Sequence, residues 1–318
     1  MGTTWAVKVA TDSLDGERRV ALDRAIGDQL ERVDSLMSHY RQDSEVSRFN
    51  AAGPGEPVEV SPETLEVVAL AQEIAVMSGG AFDVTIAPLV DAWGFGPGPS
   101  PAAVPTDEAI AALLDRIGHD ELVVDPARST LAKRRESVSL DLSAIAKGYA
   151  VDRVARALEA QGVERYLVEI GGELRARGQN RRGEPWRVAI EKPRGGDEGS
   201  TRVIGLESGS VATSGEYRNF RIVEGRRVSH TIDPRTGRPV AHRLAAVSVV
   251  DTDCARADAL ATALNVLGPE DGWRLAVDHH LAALFQVASP SGDAFEDLAT
   301  PAFEARFPSG IASDEAAR

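Results

Sequence analysis

Ser139-Leu-Asp-Leu-Ser-Ala-Ile-Ala-Lys-Gly-Tyr-Ala-Val-Asp152 is the stretch where the chain changes period. Val138, Leu140 and Leu142 alternate with Ser139, Asp141 and Ser143, which predicts a half-buried strand. Ala150, Val151, Val154, Ala155 and Leu158 then recur at helical spacing as far as Gly162, a suitable C-cap. A strand therefore runs into a helix through Ala144-Ile-Ala-Lys-Gly148, with Asp141 on the face opposite the apolar row. Lys147 and Gly148 fall near the helix start, where unpaired N–H groups and the positive dipole end suit a phosphate. The same residues also read as ordinary capping.

Working outward, Trp5, Val7 and Val9 form a first strand. Leu22, Ile26, Leu30, Val33 and Leu36 or Met37 line one face of a helix over Glu17–Met37. The polar segment Met37-Ser-His-Tyr-Arg-Gln-Asp-Ser-Glu-Val-Ser-Arg-Phe-Asn50 predicts a short helix capped by Asp43 or Ser44. Ser61-Pro62-Glu63 has the order N-cap, first-turn proline and first-turn acid; that helix should stop at Ser78-Gly79-Gly80. A Pro/Gly-rich loop spans Pro97 to Pro105, a helix spans Thr106 to Gly118, and Leu122–Asp125 and Thr130–Lys133 form a hairpin. Further strands are expected at Tyr166–Ile170, Leu174–Arg177, Trp186–Glu191, Val203–Leu206, Ser210–Ser214, Tyr217–Val223, Arg227–Ile232, Leu244–Val250 and Leu281–Val287. Pro193–Ser200 reads as a charged turn region. Helices are expected over Cys254–Leu267, with Asp253 as cap, and over Pro269–Asp278. The tail from Ser289 is weakly specified. Without strict strand–helix alternation, the fold class is α+β, with mixed, largely antiparallel sheets and packed helices. The chain reads as one domain over 1–318, with two interleaved subdomains as the alternative.

The 318 residues carry a formal charge of −14 and a mean hydropathy of −0.18, which describes a globular chain unsuited to nucleic acid or an anionic membrane. An anionic ligand must be met by a local basic cluster. Cys254 is the only cysteine, so no internal disulfide and no cysteine-based zinc site can form. The start, Met-Gly-Thr-Thr-Trp-Ala-Val-Lys, is too short and polar for the apolar core of a signal peptide, and no apolar run approaches membrane-spanning length. As given, the chain reads as cytoplasmic; it would be exported or lipid-anchored if a leader had been trimmed.

Three clusters can carry chemistry. Asp258 and Thr262 are four apart on a helix and stack on one face. Both are hard oxygen donors of the kind Mg²⁺ takes, few at a time; Asp258 could equally complement the helix dipole with Thr262 filling space. Ser229-His-Thr-Ile-Asp-Pro-Arg-Thr-Gly-Arg-Pro239 brings together His230, Asp233, Arg235 and Arg238. It can serve proton transfer and phosphate pairing, or be a surface Asp-Pro turn with solvated arginines. Gly171-Gly172 suits any tight strand-to-strand turn. No cysteine nucleophile motif, Gly-x-Ser-x-Gly elbow or Walker-type glycine loop is present.

Four segments, in order, resemble the flavin transferase family called ApbE, the FAD:protein FMN transferases. They are Met37–Asn50; Gly79-Gly-Ala-Phe-Asp-Val-Thr85 with Gly94-Phe-Gly96; Asp141–Asp152 with Glu169-Ile-Gly-Gly172; and Ser229–Pro239 with Ala257-Asp-Ala-Leu-Ala-Thr262. The resemblance implies cleavage of FAD at its pyrophosphate, transfer of FMN to a Thr or Ser hydroxyl of an acceptor flavoprotein, and release of AMP. It implies Mg²⁺ held by the Ala144 backbone carbonyl, Asp258 and Thr262. It also implies an FAD site lined by Met37, Tyr40, Ala81, Phe82, Asp83, Asp141, Lys147 and Ile232, with His230, Gly171 and Gly172 nearby. Lys147 would offset charge on the pyrophosphate, Tyr40 or Phe82 would stack on a flat ring, and Asp258 or His230 would take the hydroxyl proton. His39 stands where the family more usually has a small Ser or Thr. Many members are exported lipoproteins with a lipidated cysteine, a feature this sequence lacks. An FAD pyrophosphatase giving FMN and AMP, and a flavin-binding protein without turnover, are the alternatives.

Overall fold

The computed structural model describes residues 2–308, except 12, 97, 99, 100, 102, 194–201, 216–219, 224, 225, 292 and 293. The expected charged turn at Pro193–Ser200, much of the Pro/Gly-rich loop and the start of the Tyr217 strand lie outside the described residues. In chain order the elements begin with β1 (Trp5–Val9), α1 (Gly16–Met37), α2 (Glu45–Ala51), β2 (Val58–Glu59) and α3 (Pro62–Met77). Then follow α4 (Ala87–Ala92), α5 (Asp107–Leu114), β3 (Leu122–Asp125), β4 (Thr130–Lys133) and α6 (Ala146–Ala160). Strands β5 (Tyr166–Ile170), β6 (Glu173–Arg177), β7 (Trp186–Ile190), β8 (Arg202–Leu206), β9 (Ser208–Gly215), β10 (Phe220–Val223) and β11 (Arg226–Ser229) come next. The chain continues with β12 (Ile232–Asp233), β13 (Arg238–Pro239), β14 (Leu244–Asp251), α7 (Cys254–Asp278), β15 (Ala282–Ala288), β16 (Phe295–Ala299) and α8 (Pro301–Arg306).

A seven-stranded sheet in the order β1-β5-β6-β9-β14-β15-β16 forms the frame, and its pairings are all antiparallel, as the α+β expectation requires. Helices α1, α6 and α7 cover one face, where Val168, Ile170, Ala212, Val247, Val249 and Phe285 meet Leu22, Ile26, Val151, Val154, Leu260 and Leu264 in the main core. The β7–β8 ribbon and α8 cover the other face through Trp186, Val188, Ile204, Leu206 and Phe303. Strand alternation feeds both layers: Val211 belongs to one core and Ala212 to the other.

The quoted stretch departs from its expected form. Val138, Leu140 and Leu142 are fully buried as their period demands, yet no ladder forms there. Asn50 imitates the neighbouring strand instead: its side-chain amide donates to Leu140 O at 3.0 Å and accepts from Leu140 N at 2.7 Å. Lys133 Nζ donates to Val138 O at 3.0 Å, and Asp141 N donates to Val84 O. The backbone is satisfied without a partner strand. Gly162, with φ +72°, ends α6 as a left-handed residue just past its C-cap. The single strand expected over Arg227–Ile232 is broken into β11 and β12, and the two helices expected over 254–278 meet at a kink at Gly268, with φ +78°. Downstream of Ser289, β16 pairs with β15 and α8 carries the buried Phe303.

Ser61 caps α3 as its sequence predicts, and Glu45 holds that cap from the side. The buried Glu45 carboxylate accepts from Ser61 N at 3.0 Å, Ser61 Oγ at 2.8 Å and Thr64 Oγ1 at 2.5 Å. Each charge-assisted bond contributes about 1.5–3 kcal/mol, so Glu45→Ala is expected to destabilise the chain by about 3 kcal/mol, read as the urea midpoint at unchanged slope. A shift under about 0.5 kcal/mol would remove Glu45 from the α3 cap.

Candidate active site

Helices α6 and α7 start side by side, and this start-to-start packing builds the site. The cap of α7 is Asp253, as expected, but its side chain makes no cap bond. Asp152 on α6 does so, accepting from Ala255 N at 2.9 Å while Arg175 Nη1 donates to its other oxygen at 2.6 Å. Gly148 lets the backbones touch: a Cβ there would lie 2.3 Å from Cys254 O. That approach brings Asp258 against the first turn of α6, where it accepts from Gly148 N at 3.0 Å.

The helical ladder opens with Tyr149 N donating to Ile145 O, so Gly148 N–H is one of the donors a helix start leaves over, and the Ala144 carbonyl, one residue before the N-cap, lies outside the ladder. Ala144, Asp258 and Thr262 all line one cavity of about 790 Å³. Thr262 is fixed by Ser214, hydroxyl to hydroxyl at 3.1 Å. One carboxylate, one hydroxyl and one free carbonyl fit a hard cation that keeps several waters. Among the described residues no group of three or more His, Cys, Asp or Glu is placed to hold a metal.

Lys147 extends into the same cavity. Its Nζ lies 3.1 Å from Glu173 Oε1 and 3.3 Å from both Asp258 oxygens. Burial works against the ammonium, but the two carboxylates hold its pKa above the ordinary lysine value. Burial and the Asp258 charge push Glu173 up to about 8, against the pull of Lys147. Burial likewise raises Asp258, opposed by Lys147 and the Gly148 N–H.

The cavity gathers nearly all the residues implied by the resemblance: Tyr40, Ala81, Phe82, Asp83, Asp141, Gly171, Gly172, His230 and Ile232 stand in its wall with the set above. Met37 does not; it lies in the main core. Asp83 is in the wall, but its carboxylate is engaged by Thr85 N at 2.7 Å, Thr85 Oγ1 at 2.6 Å and His119 N at 3.0 Å. Asp141 accepts from Ser143 N at 2.8 Å and pairs with His39 Nδ1 at 3.3 Å. The bond to Asp141 raises the His39 pKa against its burial. Tyr40 is 68% exposed at the rim, its ring 4.4 Å from that of His39, a flat surface open to stacking.

The segment 229–239 divides. His230 reaches the cavity, edge-on to Phe95, and Thr231 is tied to α7 by Asn265 Nδ2 at 3.3 Å. Arg235 instead makes a double contact with Asp233, at 2.9 and 2.8 Å, and Arg238 pairs with Asp107. Both arginines of the segment are thus engaged by carboxylates of or beside the turn. Sequence reasoning passed over Glu173. The signal was the length of the Gly171-Gly172 turn: with φ of +63° and +105° the pair makes a two-residue hairpin, so Glu173 directly faces Ile170 and enters the sheet.

Two solved structures share the fold. A Vibrio cholerae flavin transferase is 42% identical with a TM-score of 0.87, covering 96% of each chain. A Pseudomonas stutzeri flavinyl transferase in apo form is 41% identical with a TM-score of 0.88, covering 98% of this chain and 95% of that one. Fold and cavity together therefore define an enzyme of the transferase class. Among curated relatives, an FAD:protein FMN transferase of Vibrio cholerae is 43% identical over 304 residues, 96% of this chain and 90% of that protein. Its Escherichia coli counterpart is 38% identical over 306 residues, 96% of this chain and 86% of that protein. The sequence model of the ApbE family matches residues 1–285, and the chain belongs to that family.

Proposed function

We propose that this protein transfers FMN from FAD to a Thr or Ser hydroxyl of an acceptor flavoprotein, with Mg²⁺ bound and AMP released. The observation that carries the reading is the set Asp258, Thr262 and Lys147 on one wall of a cavity whose rim presents Tyr40. The acceptor oxygen forms a bond to the FMN phosphorus, the anhydride P–O bond breaks, and AMP leaves with the electron pair. Ala144 O, Asp258 and Thr262 would hold Mg²⁺, which supplies charge compensation for the pyrophosphate. Lys147 adds a fixed positive charge beside it. Asp258, which accepts from Gly148 and Lys147, and His230, in the wall of the same cavity, are the two candidate bases for the hydroxyl proton.

The test is incubation with FAD and Mg²⁺, with and without an acceptor domain, following AMP and the acceptor mass. The expected result is a mass gain of one FMN on the acceptor, matched by AMP. AMP without any adduct would replace transfer by hydrolysis. No AMP in any condition would overturn both enzymatic readings in favour of flavin binding alone. Among the described residues no helix is long and apolar enough to cross a membrane.

A further inference from the structure

Glu173 is a buried carboxylate that the transfer reaction, as described, leaves unused. It is 4% exposed, and its Oε2 atom has neither solvent nor a hydrogen-bond partner. Its other oxygen, Oε1, is 3.1 Å from Lys147 Nζ. A buried carboxylate with one lone oxygen is costly unless its charge is used. Lys147, by contrast, keeps 33% of its side chain exposed, with Glu173 and Asp258 at 5% and 4% beneath it.

The hairpin turn serves the same contact. A Cβ on Gly171 would lie 2.9 Å from Thr3 Oγ1 and 3.4 Å from Lys147 Cδ, so the turn runs in contact with the lysine stem. Glu173 follows two residues later, on the first position of β6, and meets the end of that stem. One short segment therefore both seats the lysine chain and receives its ammonium.

We propose that Glu173 is the positioning residue that keeps Lys147 aimed into the cavity, a role that rests on the transfer reading above. Asp258 cannot do this alone. It is shared between Lys147 and Gly148 N–H, and it is the one carboxylate in the set that would hold the cation. A cation on Asp258 would compete with Lys147 for the same oxygens and repel it. Glu173 gives the ammonium a second anchor, outside the metal set, so that lysine and cation can face one pyrophosphate together.

The test is FAD affinity with and without Mg²⁺, in the absence of acceptor, read by quenching of flavin fluorescence, for Glu173→Gln, Lys147→Met and the double variant. If Glu173 acts through Lys147, Glu173→Gln weakens FAD binding about tenfold in the wild-type background, the effect of one misplaced charge. In the Lys147→Met background the same change has an effect below about twofold, because nothing is left to aim. Glu173→Asp, which keeps the charge, recovers part of the affinity and serves in place of Glu173→Gln should the latter melt early. A merely structural role would lower the melting temperature without this dependence on Lys147. Equal losses in both backgrounds, or no loss in the wild type, would overturn the proposal. A wild-type protein that binds no FAD would overturn the transfer reading itself, and is told apart by that control.

Discussion

Asp258→Ala is expected to reduce AMP release by about 10³-fold or more and to abolish its response to Mg²⁺, in keeping with the loss of a principal electrostatic group in phosphoryl transfer. The size follows from how many functions meet in one side chain. Asp258 is 3% exposed, accepts the Gly148 N–H, pairs with Lys147, and stands one turn before Thr262. Alanine removes the only carboxylate of the hard donor set and returns Lys147 wholly to Glu173. The fold is expected to survive. An unpaired Gly148 N–H costs about 1–3 kcal/mol, and relief of the repulsion between Asp258 and Glu173 offsets part of it.

The same variant has a pH signature. Glu173 titrates near 8 in the folded protein against 4.5 unfolded. Between those values the folded state holds a proton that the unfolded state has lost, so stability of the metal-free protein falls as pH rises. Burial is the first cause of that shift and the Asp258 charge the second, so the slope should become shallower in Asp258→Ala. Turnover against Mg²⁺ concentration, and urea midpoints at pH 5 and pH 8 in EDTA, check both. Full turnover in the variant would remove Asp258 from the metal set.

Local signals account for much of what could be read from sequence. The period of α1, the Ser61-Pro62 start of α3 and the β3–β4 hairpin are settled by neighbours within a few residues, and each forms where its pattern predicts. Asp258 and Thr262 reach one cavity for the same reason, since i and i+4 share a helix face. What could not be read depends on distant partners. The 138–142 segment has a strand's period but no ladder, because Asn50, 90 residues away, occupies its backbone groups. The carbonyl of Ala144 carries no signal of its own; it falls outside the ladder because α6 opens at Ala146 with Ile145 as its N-cap, a start that no side-chain cap bond marks. Short α4 has too few residues to show a helical period. Resemblance supplied Ala144 and Tyr40, and packing alone supplied Glu173.

Gly148→Ala is expected to be the most destabilising single-methyl change near the site, costing about 3 kcal/mol or more. The new Cβ would lie 2.3 Å from Cys254 O, 2.6 Å from Cys254 C and 2.8 Å from Ala255 Cα. All three atoms are backbone at the start of α7, so no rotamer change can relieve the overlap, and α6 and α7 must move apart. Separation strains the Gly148 N–H bond to Asp258 and the Ala255 N–H bond to Asp152, each contributing about 1.5–3 kcal/mol. It also carries Lys147 away from Asp258, so FAD affinity should fall along with stability. Gly27→Ala on α1 is the matched control. A Cβ there meets nothing within 4 Å, and the added helix propensity should raise stability by up to about 1 kcal/mol. Urea unfolding of the two variants should therefore shift in opposite directions. If Gly148→Ala were as stable as Gly27→Ala, the close approach of α6 and α7 would be wrong, and with it the placement of Asp258 against the start of α6.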